Sequence, residues 1–161
     1  MDFFRSNSDM KKQTEGFVKD LFSSEEKTVE SSLNGLLAKY VSIGDFSIKA
    51  PKENCYHGFV NGLLINGASL IKEQKSNFES GNGYVDLILL SADKKAVSIL
   101  ELKQTENELD DRITISEKAT EQIIKKKYAE QFKENKMIQS VFAWGICFCK
   151  KECSVVCKKL K

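Results

Sequence analysis

Apolar side chains recur at helical spacing in the first part of the chain. Phe17, Val18, Leu21 and Phe22 form one such set, and Val29, Leu33, Leu36, Leu37 and Tyr40 form a second, longer stripe that needs a core to cover it. Ser23 followed by Glu26 reads as a capping box opening the second helix, Gly44–Asp45 as its end, and the residues just after Met1 as a frayed lead-in. A third helix is predicted after Pro51, a residue tolerated at a helix start, with Tyr56, Phe59, Val60, Leu63 and Leu64 at helical spacing. Then the period changes. Lys72–Phe78 and Tyr84–Leu90 read as strands joined by turn chemistry at Gly81–Asn82–Gly83, and Ala96–Lys103 as a third strand after the polar connection Ser91–Lys95. These make a three-stranded meander. Thr105–Asp111 is an acidic loop or helix entry, and Ser116–Phe132 a helix with Ala119, Ile123 and Tyr128 facing inward. Ile138–Phe148 is the next strand, Lys150–Glu152 a turn and Ser154–Val156 a short last strand.

At 161 residues, 41% hydrophobic and 30% charged, the composition is that of a globular chain and excludes disorder as the main state. No apolar run approaches the roughly 20 residues that cross a bilayer. Five cysteines, an odd number without a secretory signal, predict reduced thiols and a cytoplasmic location. The net charge of +2 conceals an asymmetry: residues 113–161 carry 11 Lys and 5 Glu, leaving an acidic balance in the rest. That basic half suits a polyanionic partner and equally a solvated lysine face.

The informative charges are those standing where a strand should be apolar. Asp86 interrupts Tyr84–Leu90, and Glu101 and Lys103 close the run Ile99–Lys103. A buried carboxylate is costly to desolvate, so it persists when it is paired, binds a metal or does chemistry. With the hairpin turn near Asp93–Lys94, opposed positions sum to about 187 and Asp86 falls across from Glu101. Alternation then puts Glu101 and Lys103 on one face and Leu100 and Leu102 on the other. Two carboxylates that close suit a hard divalent cation, magnesium or manganese. The plainer alternative is a cross-strand Asp86–Lys103 salt bridge with Glu101 in solvent.

Asp86 with Glu101–Leu102–Lys103 resembles the signature of the PD-(D/E)XK nuclease superfamily. In order along residues 50–157, Tyr56–His57–Gly58–Phe59, Gly62–Leu63–Leu64, Ser76–Asn77, Glu79–Ser80–Gly81 with Gly83, Gln122–Ile123, Lys127–Tyr128–Ala129 and Gly145–Ile146 with Phe148 resemble the nuclease-like domain often fused to bacterial AAA-ATPase-like proteins. The resemblance implies an α/β (α+β) fold over residues 49–161. Its restriction-endonuclease-like core would run α-β-β-β-α-β with a mixed central sheet, behind a helical extension over residues 1–48 packed on the core. It also implies a magnesium- or manganese-dependent nuclease acting on DNA, with Asp86 and Glu101 as metal ligands and Lys103 orienting or deprotonating water. Glu53 is then either the extra carboxylate of the first core helix or an ordinary N-terminal acid favourable to the helix dipole. Glu79 either supports the metal shell or bonds turn amides. Gln122 lies on the helix flanking the site. It points about 240° away from Tyr128 around a continuous helix, so Gln122 pairs better with Lys126 and Tyr128 reads as core. Lys125, Lys126 and Lys127 are candidate phosphate contacts.

Related domains usually carry arginine where this chain has Phe78 and Tyr84. That departure keeps open a catalytically inactive binding or regulatory module, with an ATPase-like or toxin/antitoxin-type protein partner. Cys147, Cys149, Cys153 and Cys157 are spaced C-x-C-x3-C-x3-C, which matches neither a common zinc pattern nor, with Cys55 upstream, the spacing of iron–sulfur nucleases. They read as thiols. His57 reads as a packing or hydrogen-bonding residue.

Overall fold

The computed structural model describes residues 3–41 and 52–161, with side chains from residues 8–41 and 55–161. Two helices, α1 (Phe3–Leu21) and α2 (Glu26–Tyr40), precede α3 (Lys52–Asn66). The meander β1 (Ile71–Ser80), β2 (Gly83–Ser91) and β3 (Ala96–Gln104) follows. Then come α4 (Arg112–Lys125), the short α5 (Glu130–Lys133), β4 (Ser140–Cys149) and β5 (Glu152–Lys159). The strands lie in sequence order in one five-stranded sheet, antiparallel throughout except for β3 and β4. That parallel pair exists because α4 carries the chain back across the sheet between them. The result is a mixed, restriction-endonuclease-like α+β fold.

Each sheet face has its own cover. Leu87, Leu89, Leu100, Leu102 and Trp144 pack with residues of α1, α2 and α3, whereas Val85, Ile88, Val97, Ile99 and Ala143 share a cluster with Ile123 of α4. Strands β3 and β4 are thus covered on both sides, which is why their sequences read as nearly unbroken apolar runs. Trp144 Nε1 and Ser98 Oγ both donate to the carbonyl of Leu21, so the sheet satisfies the buried end of α1. Gly145 lets α4 approach β4 closely: a Cβ there would lie 1.9 Å from the Ser116 carbonyl oxygen.

Helix α2 protects the outer edge of the sheet. Glu26, Glu30 and Asn34, one turn apart, accept the N–H groups of Cys157, Val155 and Cys153 at 2.8, 2.8 and 2.7 Å. Three side chains thereby stand in for the strand that β5 lacks.

Several local expectations are corrected. Helix α1 is already formed at Phe3, with no frayed lead-in after the first two residues. The Ser23/Glu26 capping box does not form. Ser23 Oγ instead donates to the Asp20 carbonyl at 2.8 Å, and α2 begins after Glu25 without a side-chain cap. Tyr40 is exposed, with the Lys39 ammonium 5.3 Å from its ring centroid. Gly44–Asp45 and the boundary at residue 48 lie outside the described residues. The final strand runs over Glu152–Lys159, well beyond Ser154–Val156, because it pairs with β4 along its length.

The single helix predicted over Ser116–Phe132 is two. Asp111 caps α4 by accepting the N–H groups of Ile113 and Thr114. At the other end Lys127 adopts φ 60°, the Tyr128 N–H bonds the Ile123 carbonyl, and the Lys127 N–H bonds that of Ile124. This Schellman reversal stops the helix at Lys125 without a glycine.

Candidate active site

The hairpin register places the charges. Leu87, Ile88, Leu89 and Leu90 face Leu100, Ile99, Ser98 and Val97, so opposed numbers sum to 187. The ladder ends at Leu87, where the next pair would be Asp86 and Glu101. There the Asp86 carboxylate replaces backbone pairing: its Oδ2 accepts the Leu102 N–H at 2.7 Å. Strand β2 is irregular at this point. Val85 packs on the α4 side and Leu87 on the opposite side, and across from Asp86 the neighbouring strand has Asn77 in a left-handed conformation, φ 47°. Asparagine tolerates that backbone region better than most residues.

Glu101 points to the α4 side, away from Leu100 and Leu102. It is 4% exposed. Its Oε1 accepts hydrogen bonds from Lys103 Nζ at 2.9 Å and Gln122 Nε2 at 2.6 Å, whereas its Oε2 is buried with no hydrogen-bond partner among the described residues. Burial, helped by the Asp86 charge, raises the Glu101 pKa against the opposing pull of Lys103 and Gln122. The alternative Asp86–Lys103 bridge with a solvated Glu101 is therefore not what forms. Lys103, its side chain 34% exposed, carries the cationic end of the group toward solvent.

Tyr128 joins this group, contrary to the projection that put it on the far side of the helix from Gln122. The projection assumed a continuous helix, and the left-handed Lys127 swings Tyr128 back. Its ring is buried, its hydroxyl donates to the Tyr84 carbonyl at 2.6 Å, and burial together with the Glu101 charge raises its pKa. The sequence signal available was a charge-rich segment with no glycine, which conceals a helix stop.

The other candidates lie further out. Glu79 is exposed, opposite Tyr84 near the end of the β1–β2 hairpin. Lys125 is exposed at the last helical turn, and Lys126 donates from Nζ to the Asn82 carbonyl at 3.4 Å. The Lys126 carbonyl accepts the Asn82 N–H, and it lies 2.2 Å from where a Cβ on Gly81, at φ 56°, would stand. Lys126 thus anchors the hairpin turn to the end of α4. Glu53 belongs to α3, but its side chain lies outside the described residues. His57 sits 3.4 Å from the Asp86 carbonyl and 3.3 Å from Ser76 Oγ, on the α3 side of the sheet.

The donor set fits a hard divalent cation. Asp86 lies close enough to Glu101 for its charge to act on it, and the Oε2 of Glu101 is a buried acceptor that no hydrogen bond satisfies among the described residues. Among the described residues no group of three His, Cys, Asp or Glu side chains converges. Burial pushes the Cys147 thiol up to about 11 and the Cys157 thiol up to about 12. No helix among the described residues is long and apolar enough to cross a membrane.

A search of curated proteins finds no match to the sequence. The family model of the PD-(D/E)XK nuclease superfamily matches residues 51–158, two thirds of the chain, and takes in β1 to β4, all of β5 but Lys159, and Asp86, Glu101 and Lys103. By that match and by the fold that surrounds these residues, the chain belongs to the PD-(D/E)XK nuclease superfamily.

Proposed function

We propose that the protein hydrolyses DNA phosphodiester bonds with the help of magnesium or manganese. The observation that carries this reading is Glu101, a buried carboxylate with one oxygen committed to Lys103 and Gln122 and the other, near Asp86, without a hydrogen-bond partner among the described residues. Asp86 and Glu101 are the ligands this reading gives the ion. What the ion supplies is Lewis acidity, which compensates phosphate charge and lowers the pKa of water.

The remaining work falls to the chain. The Leu102 N–H fixes one oxygen of Asp86, and Gln122 fixes one of Glu101, so both carboxylates are oriented before substrate arrives. Tyr128 in turn holds the strand that carries Asp86, through its bond to the Tyr84 carbonyl. Lys103 places an ammonium at the solvent side of Glu101, where it can orient water and stabilise charge building up on the phosphate. Lys125, Lys126 and Lys127 are further phosphate contacts in this reading.

The test is cleavage of supercoiled plasmid with magnesium, with manganese and with chelator, beside Asp86→Ala and Lys103→Ala. Metal-dependent nicking lost in both variants is the expected result. Cleavage that survives both substitutions refutes this assignment of residues. Retained DNA binding without any cleavage refutes the enzymatic reading and leaves a nuclease-like binding module.

A further inference from the structure

Helix α4 crosses the sheet with two unlike sides. On one side Gln122 donates to Glu101 at 2.6 Å, and Arg112 at the helix start donates to Glu152, which stands opposite Cys149 at the far end of β4. On the other side Glu121 pairs with Lys158 at 3.9 Å, and Lys158 stands opposite Ala143, nearer the beginning of β4. Lys103 lies two residues beyond Glu101 along β3, beside Cys147, so the site opens on the Gln122 side. At 3.6 residues per turn, Lys118 and Lys126 each lie about 40° from Gln122 around α4, one turn before it and one turn after. Glu121 lies about 100° away and Glu117 about 140°. Lysines thus flank the residue that touches Glu101, and the acids of the helix turn from it.

The cations nearest the site are already engaged, with one exception. Lys103 donates to Glu101, Arg112 to Glu152 and Lys126 to the Asn82 carbonyl. Lys118 is exposed and has no hydrogen-bond or ion-pair partner among the described residues. Within the site Asp86 and Glu101 outnumber Lys103, so a phosphate arriving there needs positive charge from beside it. A lysine ammonium is a point charge on a flexible four-carbon stem, and from the next turn of the helix it reaches a phosphate lying over Gln122.

We infer that Lys118 is a phosphate contact, holding the DNA backbone beside the bond to be cleaved and so directing the strand along the Gln122 side of α4. This rests on the nuclease reading for the cleavage but not for the binding. Anisotropy of a fluorescein-labelled duplex is read against potassium chloride, with calcium held constant, for wild type, Lys118→Ala, Lys118→Arg and Lys158→Ala. The slope of log affinity against log salt should become shallower by up to about 0.9 in Lys118→Ala, the share of one phosphate contact. It should be kept in Lys118→Arg, and in Lys158→Ala, which removes the same charge from the other side of the helix. In magnesium, Lys118→Ala should raise KM with little change in kcat, the mark of lost binding and not of lost chemistry. An unchanged slope in Lys118→Ala, or an equal change in Lys158→Ala, overturns the inference, as does a protein that binds no DNA. Binding that depends on Lys118 without any cleavage sinks only the nuclease reading. Cleavage whose KM and salt slope ignore Lys118 sinks only this one.

Discussion

Replacing Glu101 by glutamine should stabilise the metal-free protein near neutral pH. The folded-state pKa of Glu101 is raised, so the native protein holds the proton more tightly than the unfolded chain does. Its contribution is therefore fully present below the ordinary carboxylate range. It declines as pH rises through that range and levels off above the folded pKa, where burial and the Asp86 charge act on an ionised group. Glutamine has the same shape, keeps an acceptor for Lys103 and Gln122, and removes the charge. An unsatisfied buried polar group costs about 1–3 kcal/mol, more when charged, but the substitution also forfeits the 2.9 Å ion pair with Lys103. A net gain of about 1 kcal/mol is expected, or about 2–4 °C in Tm for a chain of this size. Thermal melts followed by circular dichroism, in chelator, at neutral and at acid pH give the comparison. The gain should vanish in acid, where both proteins are neutral at this position. Magnesium should reverse the order: a ligand at about a hundred times its Kd adds about 2.7 kcal/mol to wild type, and the variant lacks one of its two carboxylate ligands. Glu101→Gln destabilising to the same degree at both pH values would show that Glu101 is an ordinary structural ion-pair partner. The electrostatic argument for a cation site would then fail.

Two further outcomes follow from the packing. Glu30→Ala should leave the Val155 N–H of the β5 edge without its 2.8 Å acceptor and cost about 1–3 kcal/mol, read as a lower urea midpoint; Glu30→Gln should recover most of it. Gly145→Ala should cost about 3 kcal/mol or more, because its Cβ would meet the Ser116 carbonyl at 1.9 Å and the Thr120 amide at 2.8 Å. Since relief requires α4 to move off the sheet, any folded Gly145→Ala protein should also lose the Gln122 contact to Glu101, and with it most of the cleavage.

What could be read from the sequence was what depends on period and on chain-local arithmetic. The change from helical to strand spacing located the meander, and the turn near Asp93 implied a register sum of 187, the sum observed in the β2–β3 ladder. Charges inside apolar runs marked Asp86, Glu101 and Lys103 because burial makes such residues expensive wherever they occur. What could not be read was whatever depends on a partner distant in sequence. Glu26, Glu30 and Asn34 look like the solvated face of an amphipathic helix, and only the arrival of β5 at that face, more than a hundred residues later, turns them into edge acceptors. Ser23 and Glu26 match a capping box, yet Ser23 finds a nearer acceptor in the Asp20 carbonyl. Tyr128 reads as core and is buried, but its place beside the site is hidden because a lysine, not a glycine, takes the left-handed position that ends α4. Side chains at positive φ carry a strain penalty that glycine avoids, so the chain around Lys127 must be compensated. Here it is: the same reversal bonds two backbone N–H groups to the end of α4, seats the Gly81 turn on the Lys126 carbonyl and buries the Tyr128 ring. A turn that costs conformational energy locally thus joins the hairpin carrying Asp86 to the helix carrying Gln122. The geometry of the two carboxylates is accordingly set as much by that junction as by the strands on which they stand.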